Sequence, residues 1–353
     1  MIEFLKSLVI TPLAFLWEGI YRLRRYLYQY GFLKRTFFQM PIISVGNIAF
    51  GGTGKTPFTL WLTKLIGEYG LHSVVLTRGY KGRFEHSCHL IEGRQAFRYD
   101  PLDFGDEPLM LARHLTDGAV IVGKRRAKNL SFFFDKIKPD VGVLDDGFQH
   151  LGLFRNFDVV LFDAAMPLSQ YNVAPKGYLR EGLTSLKDAD AIVLSRCDQA
   201  SPYNIKRLEE FLAPYVAPGA VWVKIKYRPQ GLYDANFEKA FDIEEMKEKK
   251  VVAVAAIASP KSFFKQLEDL EVDIAEKVSF PDHYYFSLED VEGLLAKAKK
   301  HDGIIIASEK DIIKIRRISM AAKVYYIPVE VDFISGKSEL KKAVTGALKL
   351  DSL

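Results

Sequence analysis

A glycine-rich loop between a short β-branched run and a helix-like stretch constrains the fold more than any other feature. Residues 42–56 read IISVGNIAFGGTGKT. Glycines let successive backbone N–H groups curve around phosphate oxygens without a Cβ in the way, and the following helix turns its positive end toward the anion. Lys55 is placed to reach the β- and γ-phosphates, and the Thr56 hydroxyl is a ligand for Mg²⁺. The segment predicts a site for ATP and Mg²⁺ in a P-loop fold.

The loop departs at one position from the usual pattern of such loops. In GxxxxGK[ST] the first glycine would fall at position 49, which is Ala49. A glycine turn that contains GKT by chance is the alternative, but the strand before the loop and the helix after it favour a nucleotide site. We assign nucleotide binding to the consecutive residues Ala49, Phe50, Gly51, Gly52, Thr53, Gly54, Lys55 and Thr56.

Short apolar runs recur along the chain and indicate the fold class. In the first part they cover residues 42–45, 73–77, 120–122, 141–144, 159–162 and 191–194. Apolar runs of this length, separated by helical or polar stretches, are typical of parallel strands covered on both faces. We expect an α/β protein with a P-loop NTPase-type, mostly parallel sheet flanked by helices.

A second set of strand-like and helix-like segments begins after residue 220. Apolar runs at 251–257 and 304–307 alternate with helix-like stretches, which predicts a smaller α/β domain that contributes to the active-site cleft. An extended segment at 324–331 is expected to pair with the alternating segment 221–227. The predicted domains are an N-terminal helix region at 1–40, a P-loop kinase domain at 41–225 and the smaller domain at 226–353.

The N-terminal segment combines apolar, aromatic and basic residues. Its apolar run, residues 8–17, contains Pro12 and is too short to span a bilayer, and Arg22, Arg24 and Arg25 follow it. This pattern is typical of a helix that lies in a membrane interface. The spacing alone slightly favours the alternative, a helix that packs on the protein's own core.

The overall composition narrows the possible partners. A net charge of +5 suits an anionic partner such as a phospholipid surface or a nucleotide. No aromatic and basic array typical of nucleic-acid binding is present, and we expect no nucleic-acid partner. Cys88 and Cys197 form no CxxC pair, which favours reduced thiols in a cytosolic compartment. No obligate protein partner is evident.

Three short motifs contain acidic or imidazole side chains that suit catalysis. The run PDVGVLDDGFQH places Asp145 and Asp146 at the end of an apolar strand, where a P-loop enzyme holds Mg²⁺, although Asp-Asp-Gly also suits a turn. Asp106 and Glu107, in GDEP, either cap the next helix or supply a base for an acceptor hydroxyl. His283, in FPDHYY, carries an imidazole, the side chain most often used for proton relay, although a lone surface histidine is usually inert.

Basic residues follow several of the predicted strands. Arg78 lies in TRGY, Arg180 in GYLREGL, and residues 124–126 read KRR. Arginines in such places can bind phosphate groups through two parallel hydrogen bonds. Ordinary surface charge is the alternative for each of them.

In their order along the chain these segments resemble one family, the tetraacyldisaccharide 4′-kinases (lipid A 4′-kinases) of Gram-negative bacteria. The resemblance rests on VGNIAFGGTGKTP, LTRGY, GDEP, VLDDGFQH, LREGLTSLKDAD, FPDHY and SEKD, which span residues 45–311. It implies transfer of the ATP γ-phosphoryl group to the 4′-hydroxyl of a tetraacylated, 1-phosphorylated glucosamine disaccharide. The implied partners are ATP, this lipid and an anionic membrane surface, and the implied location is the cytoplasmic face of the inner membrane, peripheral or monotopic.

The resemblance also implies roles that the separate motifs leave open. Asp106 becomes the acceptor base, and His283 becomes its partner from the second domain. The full predicted catalytic set is Asp106, His283, Lys55 and Asp146. The predicted Mg²⁺ ligands are Thr56, Asp145, Glu107 and Glu181. The predicted substrate-binding residues are Arg78, Gln149, His150 and Arg180.

Two other classes of protein contain comparable loops. Regulatory ATPases of the MinD or nitrogenase-iron-protein type carry GGxGKT with a signature lysine directly before the glycine pair. Phe50 occupies that position here, which counts against them. A membrane-docked nucleotide-binding module without turnover is the remaining alternative.

Overall fold

The computed structural model describes residues 2–115, 118–257, 260–318 and 323–350, and of residues 2–9, 94 and 97 it describes the backbone only. The first residues of the predicted apolar run, Leu8 and Val9, belong to the backbone-only group. The first predicted domain begins at residue 1 and the last ends at residue 353, but Met1 and residues 351–353 lie outside the described residues.

Helices and strands alternate along most of the described chain. The helices are α1 (Ile2–Gln29), α2 (Lys55–Glu68), α3 (Pro101–Phe104), α4 (Asp106–His114), α5 (Arg126–Ile137), α6 (Pro202–Leu212), α7 (Ile243–Lys247), α8 (Pro260–Asp269), α9 (Leu288–Lys300), α10 (Glu309–Ile318) and α11 (Lys337–Ala347). The strands are β1 (Ile42–Gly46), β2 (Ser73–Thr77), β3 (His89–Glu92), β4 (Ala119–Val122), β5 (Val141–Asp145), β6 (Phe157–Asp163), β7 (Ala191–Ser195), β8 (Val221–Pro229), β9 (Leu232–Asp234), β10 (Lys239–Phe241), β11 (Lys250–Ala255), β12 (Asp273–Ser279), β13 (Ile304–Ala307), β14 (Val324–Tyr326) and β15 (Val329–Ser335).

The larger sheet has the strand order β15-β8-β7-β6-β1-β5-β2-β4-β3. From β8 to β4 each neighbouring pair is parallel, and an antiparallel strand lies at each edge. The six apolar runs predicted in the first part of the chain are all strands of this sheet. The predicted fold class is confirmed.

Helix α2 shows how the sequence pattern builds the core beside the loop. Its buried apolar residues Phe58, Leu62, Leu65 and Ile66 recur at helical spacing and lie on one face, against the sheet. Each such side chain contributes about 1.5–3 kcal/mol when it is fully buried. The helix therefore presents its first turn, at Lys55, rigidly to the carboxyl edge of the sheet.

The smaller sheet has the order β10-β9-β14-β13-β11-β12, and four of its strands, from β14 to β12, are parallel. The expected pairing of 324–331 with 221–227 is found only in part. β15 pairs with β8, from Val329 opposite Pro229 to Ser335 opposite Lys224, whereas β14 belongs to the smaller sheet.

The chain thus leaves the larger sheet after β8 and returns to it at β15. The backbone N–H of Gln230 donates to the carbonyl of Pro328 at 3.0 Å, so the two crossing points are adjacent. Helix α11 packs on β8. Strand β15 and helix α11 lie within the predicted 226–353 domain but belong with the larger sheet. The division at 225/226 stays a prediction.

Candidate active site

The glycine loop begins where β1 ends and closes on the first residue of α2. Gly51 and Gly54 have φ values of 100° and 81°, in the left-handed region that favours glycine. Gly54 is also the residue before Lys55 at the start of the helix, and a Cβ there would lie 1.7 Å from the hydroxyl oxygen of Tyr227. Position 54 can therefore hold only glycine while Tyr227 keeps its place.

Side chains from neighbouring strands hold the loop carbonyls. Ser195 Oγ donates to the carbonyl of Thr53 at 2.9 Å, and a guanidinium nitrogen of Arg196 donates to the carbonyl of Gly52 at 2.9 Å. Tyr227 Oη donates to the carbonyls of Thr53 and Gly54, at 3.3 and 3.1 Å. With its carbonyls held from outside, the loop can turn N–H groups to a ligand, but the N–H of Phe50 already donates to the carbonyl of Tyr178 at 2.7 Å.

The sequence analysis missed Ser195, Arg196 and Tyr227. For Ser195 and Arg196 a signal existed, because Ser195 ends β7 and Arg196 follows it. Both therefore lie at the same carboxyl edge as the loop, where ligands of open α/β sheets bind. Tyr227 lies on an alternating strand, β8, and nothing in its local pattern distinguishes it.

A Tyr227→Phe substitution is expected to raise the dissociation constant for ATP about 5-fold, because a shared neutral hydrogen bond contributes about 1 kcal/mol. Titration with a fluorescent ATP analogue measures this. Tyr203→Phe is the matched control, since that tyrosine is 68% exposed. Unchanged affinity in Tyr227→Phe would show that the hydroxyl does not support the loop.

Asp145 and Asp146 end β5 directly beside the loop. Asp145 is buried and accepts hydrogen bonds from Thr59 Oγ1 at 3.2 Å and Thr77 Oγ1 at 3.5 Å. Burial, with the negative charges of Glu107 and Asp146, raises the pKa of Asp145 to about 6. Lys55 and Arg126 lower this pKa but do not outweigh burial and the two neighbouring carboxylates.

Asp146, unlike Asp145, lies in direct contact with positively charged side chains. Lys55 Nζ lies 3.5 Å from its Oδ1, and Arg180 donates to its Oδ2 at 2.8 Å. Arg126 donates to its backbone carbonyl at 2.9 Å. Burial raises the pKa of Asp146, but Lys55 and Arg180 outweigh burial and hold it at about 2. The structure thus brings together Lys55, Asp146 and Arg180 from the predicted set.

The structure also brings together Asp106 and His283, which are far apart in the sequence. Asp106 is the first residue of α4, and His283 follows β12 of the smaller sheet, where its backbone N–H donates to the carbonyl of Ala256 at 3.1 Å. His283 Nδ1 lies 3.5 Å from Asp106 Oδ2. The residue before the helix, Gly105, has no side chain to cap it, and Asp106 Oδ1 accepts from the backbone N–H of Glu107 at 3.0 Å. Asp106 therefore serves the start of the helix as well as contacting His283.

The surroundings of Asp106 keep it ionised. Burial raises its pKa, but hydrogen bonding with His283 and the positive charges of Lys310 and Lys314 outweigh burial and hold it at about 2. At neutral pH the group is a carboxylate that can only accept hydrogen bonds.

Glu107, the neighbour of Asp106, forms an ion pair with Lys310 of α10. Its charge also contributes to the raised pKa of Asp145, so the two carboxylates lie close enough to interact. Lys310, like His283, belongs to the segment between β8 and β15. That segment therefore contacts both acidic residues of the GDEP motif.

The donor set fits Mg²⁺ better than it fits a metal held by protein alone. The described residues contain no group of three or more His, Cys, Asp and Glu side chains that would hold a metal ion. Mg²⁺ in nucleotide sites takes one or two carboxylates and completes its shell with phosphate oxygens and water. Asp145, with its raised pKa, and the hydroxyl of Thr56 at the start of α2 match that requirement.

Glu181, predicted as a Mg²⁺ ligand, has other partners in the structure. Arg25 of α1 donates to both its carboxylate oxygens, at 2.8 and 3.2 Å, and Gln149 Nε2 donates to one of them at 2.7 Å. The side chain is 2% exposed. Both oxygens are engaged, so the geometry does not support a metal role for Glu181. Gln149, predicted to bind substrate, is likewise engaged within the protein.

The remaining predicted substrate-binding residues lie near the same edge. Arg78 follows β2, is half-exposed and pairs with Glu85 at 2.5 Å. Burial and the charges of Arg126 and neighbouring arginines lower the pKa of His150 to about 3, so its imidazole is neutral. Arg180 lies over the ring of Phe50, 5.5 Å from its centre.

An open cavity of about 280 Å³ lies on the outer side of the glycine loop. Its lining includes the aromatic residues Phe50 and Tyr178 and the paired Asp163 and Arg196. It adjoins the backbone of Gly52. The loop is therefore accessible to a ligand larger than a phosphate group.

Comparisons with known proteins agree with this geometry. The profile of the family described as tetraacyldisaccharide-1-P 4′-kinase matches residues 6–349. A tetraacyldisaccharide 4′-kinase of Desulfotalea psychrophila is 35% identical, with 89% of each chain covered. Another, of Anaeromyxobacter sp. (strain K), is 32% identical, with 92% of this chain and 86% of the relative covered.

A solved structure is similar over nearly the whole chain. It is the "apo" form of LpxK from Aquifex aeolicus in complex with ATP, 28% identical, with a TM-score of 0.78 and coverage of 96% of this chain and 98% of the other. These similarities extend across both sheets and do not favour a regulatory ATPase. The chain belongs to the tetraacyldisaccharide-1-P 4′-kinase family.

Proposed function

We propose that this chain transfers the γ-phosphoryl group of ATP to the 4′-hydroxyl of a tetraacylated glucosamine disaccharide 1-phosphate. The product is the bis-phosphorylated lipid A precursor. The observation that carries the proposal is the family match over residues 6–349. The geometry agrees with the proposal, because three parts of such a site lie in one region. They are the glycine loop, the buried carboxylate of Asp145 and the carboxylate of Asp106 beside His283.

ATP binds on the glycine loop in this proposal. A relative has been crystallised with ATP, and Lys55 here points to the carboxylate-lined end of the loop, where the terminal phosphates would lie. Lys55 and Arg180 then neutralise charge on the transferring group.

Mg²⁺ would be held by Thr56 and Asp145, with Glu107 directly or through water. When bound it neutralises charge on the phosphates and orients them. The chain's own part is to supply a buried carboxylate whose pKa is raised by burial and by the charges of Glu107 and Asp146.

Asp106 accepts the proton of the sugar hydroxyl. A carboxylate held at a pKa near 2 is a weak base, so the proton moves late, when the hydroxyl oxygen has begun to bond to phosphorus. His283 orients Asp106. Arg78, His150 and Arg180 line the approach of the phosphorylated sugar in this proposal.

The enzyme works at the cytoplasmic face of the inner membrane as a peripheral or monotopic protein in this proposal. The described residues include no helix long and apolar enough to cross a bilayer. Helix α1 nevertheless exposes Leu16, Ile20 and Leu23, at 64%, 56% and 58%, at the spacing of one helix face. An apolar face beside Arg22 fits an anionic interface.

Replacement of Leu16, Ile20 and Leu23 together by serine is expected to lower binding to anionic vesicles by more than about 10-fold, because each apolar side chain that enters the interface contributes roughly 1 kcal/mol or more. Vesicle sedimentation measures the bound fraction. Phe132→Ser is the control, since Phe132 is 74% exposed on α5. Equal losses in both proteins would mean that α1 is not the membrane contact.

Incubation with γ-labelled ATP and the disaccharide-1-phosphate lipid tests the reaction. Label recovered at the 4′-position, dependent on Mg²⁺ and lost in Lys55→Ala, is the expected result. Steady ATP hydrolysis without acceptor would instead indicate a regulatory ATPase, and no turnover would indicate a nucleotide-binding module.

A further inference from the structure

A buried arginine of the N-terminal helix forms the first link of a hydrogen-bonded connection. Arg25 is 9% exposed and lies over the ring of Phe148, 4.6 Å from its centre. It pairs with both oxygens of Glu181 and, at 2.7 Å, with Asp188. Burying two opposite charges costs desolvation free energy, and the attraction between them often fails to offset that cost. A contribution to stability is therefore a weak explanation for this buried pair.

The connection continues from Glu181 to the glycine loop without a break. Gln149 Nε2 donates to Glu181 Oε1 and to the carbonyl of Asn47, both at 2.7 Å. Asn47 Nδ2 in turn donates to the Thr53 hydroxyl at 3.0 Å. Asn47 is 0% and Thr53 3% exposed, so water does not compete at this end.

Helix α1 reaches the same segments at two further points. Trp17 Nε1 donates to the carbonyl of Arg180 at 2.8 Å, and Arg24 donates to the carbonyl of Gln149 at 2.9 Å. The backbone N–H of Arg180 donates to the carbonyl of Ile48 at 2.6 Å, and its guanidinium binds Asp146. The side of α1 that faces the protein is therefore fastened to the loop region by polar contacts.

We propose that Arg25 is a positioning residue for nucleotide binding. Through Glu181, Gln149 and Asn47 it holds Thr53, and hence the glycine loop, in the conformation that accepts phosphate. Arg25 does not touch the nucleotide. The inference rests on one part of the proposed function, which is that the loop binds ATP. It implies that full ATP affinity requires α1 to be packed in its observed position.

The test is titration of Arg25→Met and Gln149→Met with a fluorescent ATP analogue and Mg²⁺, without lipid acceptor. Each variant is expected to raise the dissociation constant by about 10-fold, the order expected when a buried charge-assisted contact is lost. The double variant should be little worse than the poorer single, because both break one connection. Arg25→Lys should restore part of the affinity.

Arg22→Met is the matched control, because Arg22 lies on the same helix, is 59% exposed and pairs with Glu18, one turn away on that helix. It should bind ATP as the unchanged protein does. Thermal melting accompanies each titration, because a purely structural Arg25 would lower the melting temperature without changing the affinity of the folded fraction.

Several outcomes would overturn the inference. Wild-type affinity in folded Arg25→Met, or additive losses in the double variant, would exclude the connection. If Arg25→Met does not fold, Gln149→Met decides, since it keeps the Arg25–Glu181 pair intact. The titration contains no lipid, so it tests ATP binding separately from phosphoryl transfer. A protein that binds ATP but fails to phosphorylate the lipid in the transfer assay would contradict the proposed function and leave this inference standing.

Discussion

A Lys55→Ala variant is expected to lose about 10³-fold in turnover number, the scale of removing one group that stabilises transition-state charge. The ammonium group lies 3.5 Å from Asp146 at the end of the loop and is not part of the apolar core. Asp146 would keep Arg180 at 2.8 Å, so the substitution leaves Asp146 paired. The fold should therefore survive.

The measurement is phosphoryl transfer from labelled ATP, with circular dichroism and thermal melting to confirm the fold. Lys64→Ala is the control, because Lys64 lies on the same helix and is exposed. A folded Lys55→Ala enzyme with near-normal turnover would remove Lys55 from the catalytic set.

Asp106→Ala and His283→Ala are each expected to lower turnover by about 10²–10⁴-fold, the usual contribution of acid–base groups. The double variant should be little worse than the poorer single, because the two groups act as a unit across a 3.5 Å contact. ATP affinity should be largely unchanged in all three, since neither residue contacts the glycine loop in the proposed mechanism.

His86→Ala is the control for the histidine, because His86 is exposed. Single-turnover transfer and nucleotide titration, done on the same preparations, separate chemistry from binding. Losses that add fully in the double variant would contradict the pair. A large loss of ATP affinity in either single variant would assign that residue to nucleotide binding instead.

The sequence was sufficient where a local pattern has a direct structural cause. The glycine loop was predictable because its glycines, lysine and threonine are consecutive and their strand and helix flank them. The six central strands were predictable because a strand buried on both faces must be continuously apolar. The contact of Asp106 with His283 was not predictable from spacing, and it entered only through the resemblance to a family.

The rest depends on contacts between residues that are distant along the chain. Glu181 was among the predicted Mg²⁺ ligands, and no local pattern indicated its partner Arg25, which is 156 positions away. Tyr227 is 173 positions from the Gly54 carbonyl that it binds. The expected pairing of 324–331 with 221–227 was only partly right, because the run reads as one strand and the structure divides it between two sheets.

The return of β15 to β8 has a consequence for the order in which the protein is made. The ribosome releases β8 long before β15, and the whole smaller sheet is synthesised between them. During that interval β8 has no partner on its outer side and presents free N–H and C=O groups, which favour pairing with other chains. Synthesis that stops within residues 230–328 would leave that edge permanently open, so premature termination should yield aggregates rather than a smaller soluble enzyme.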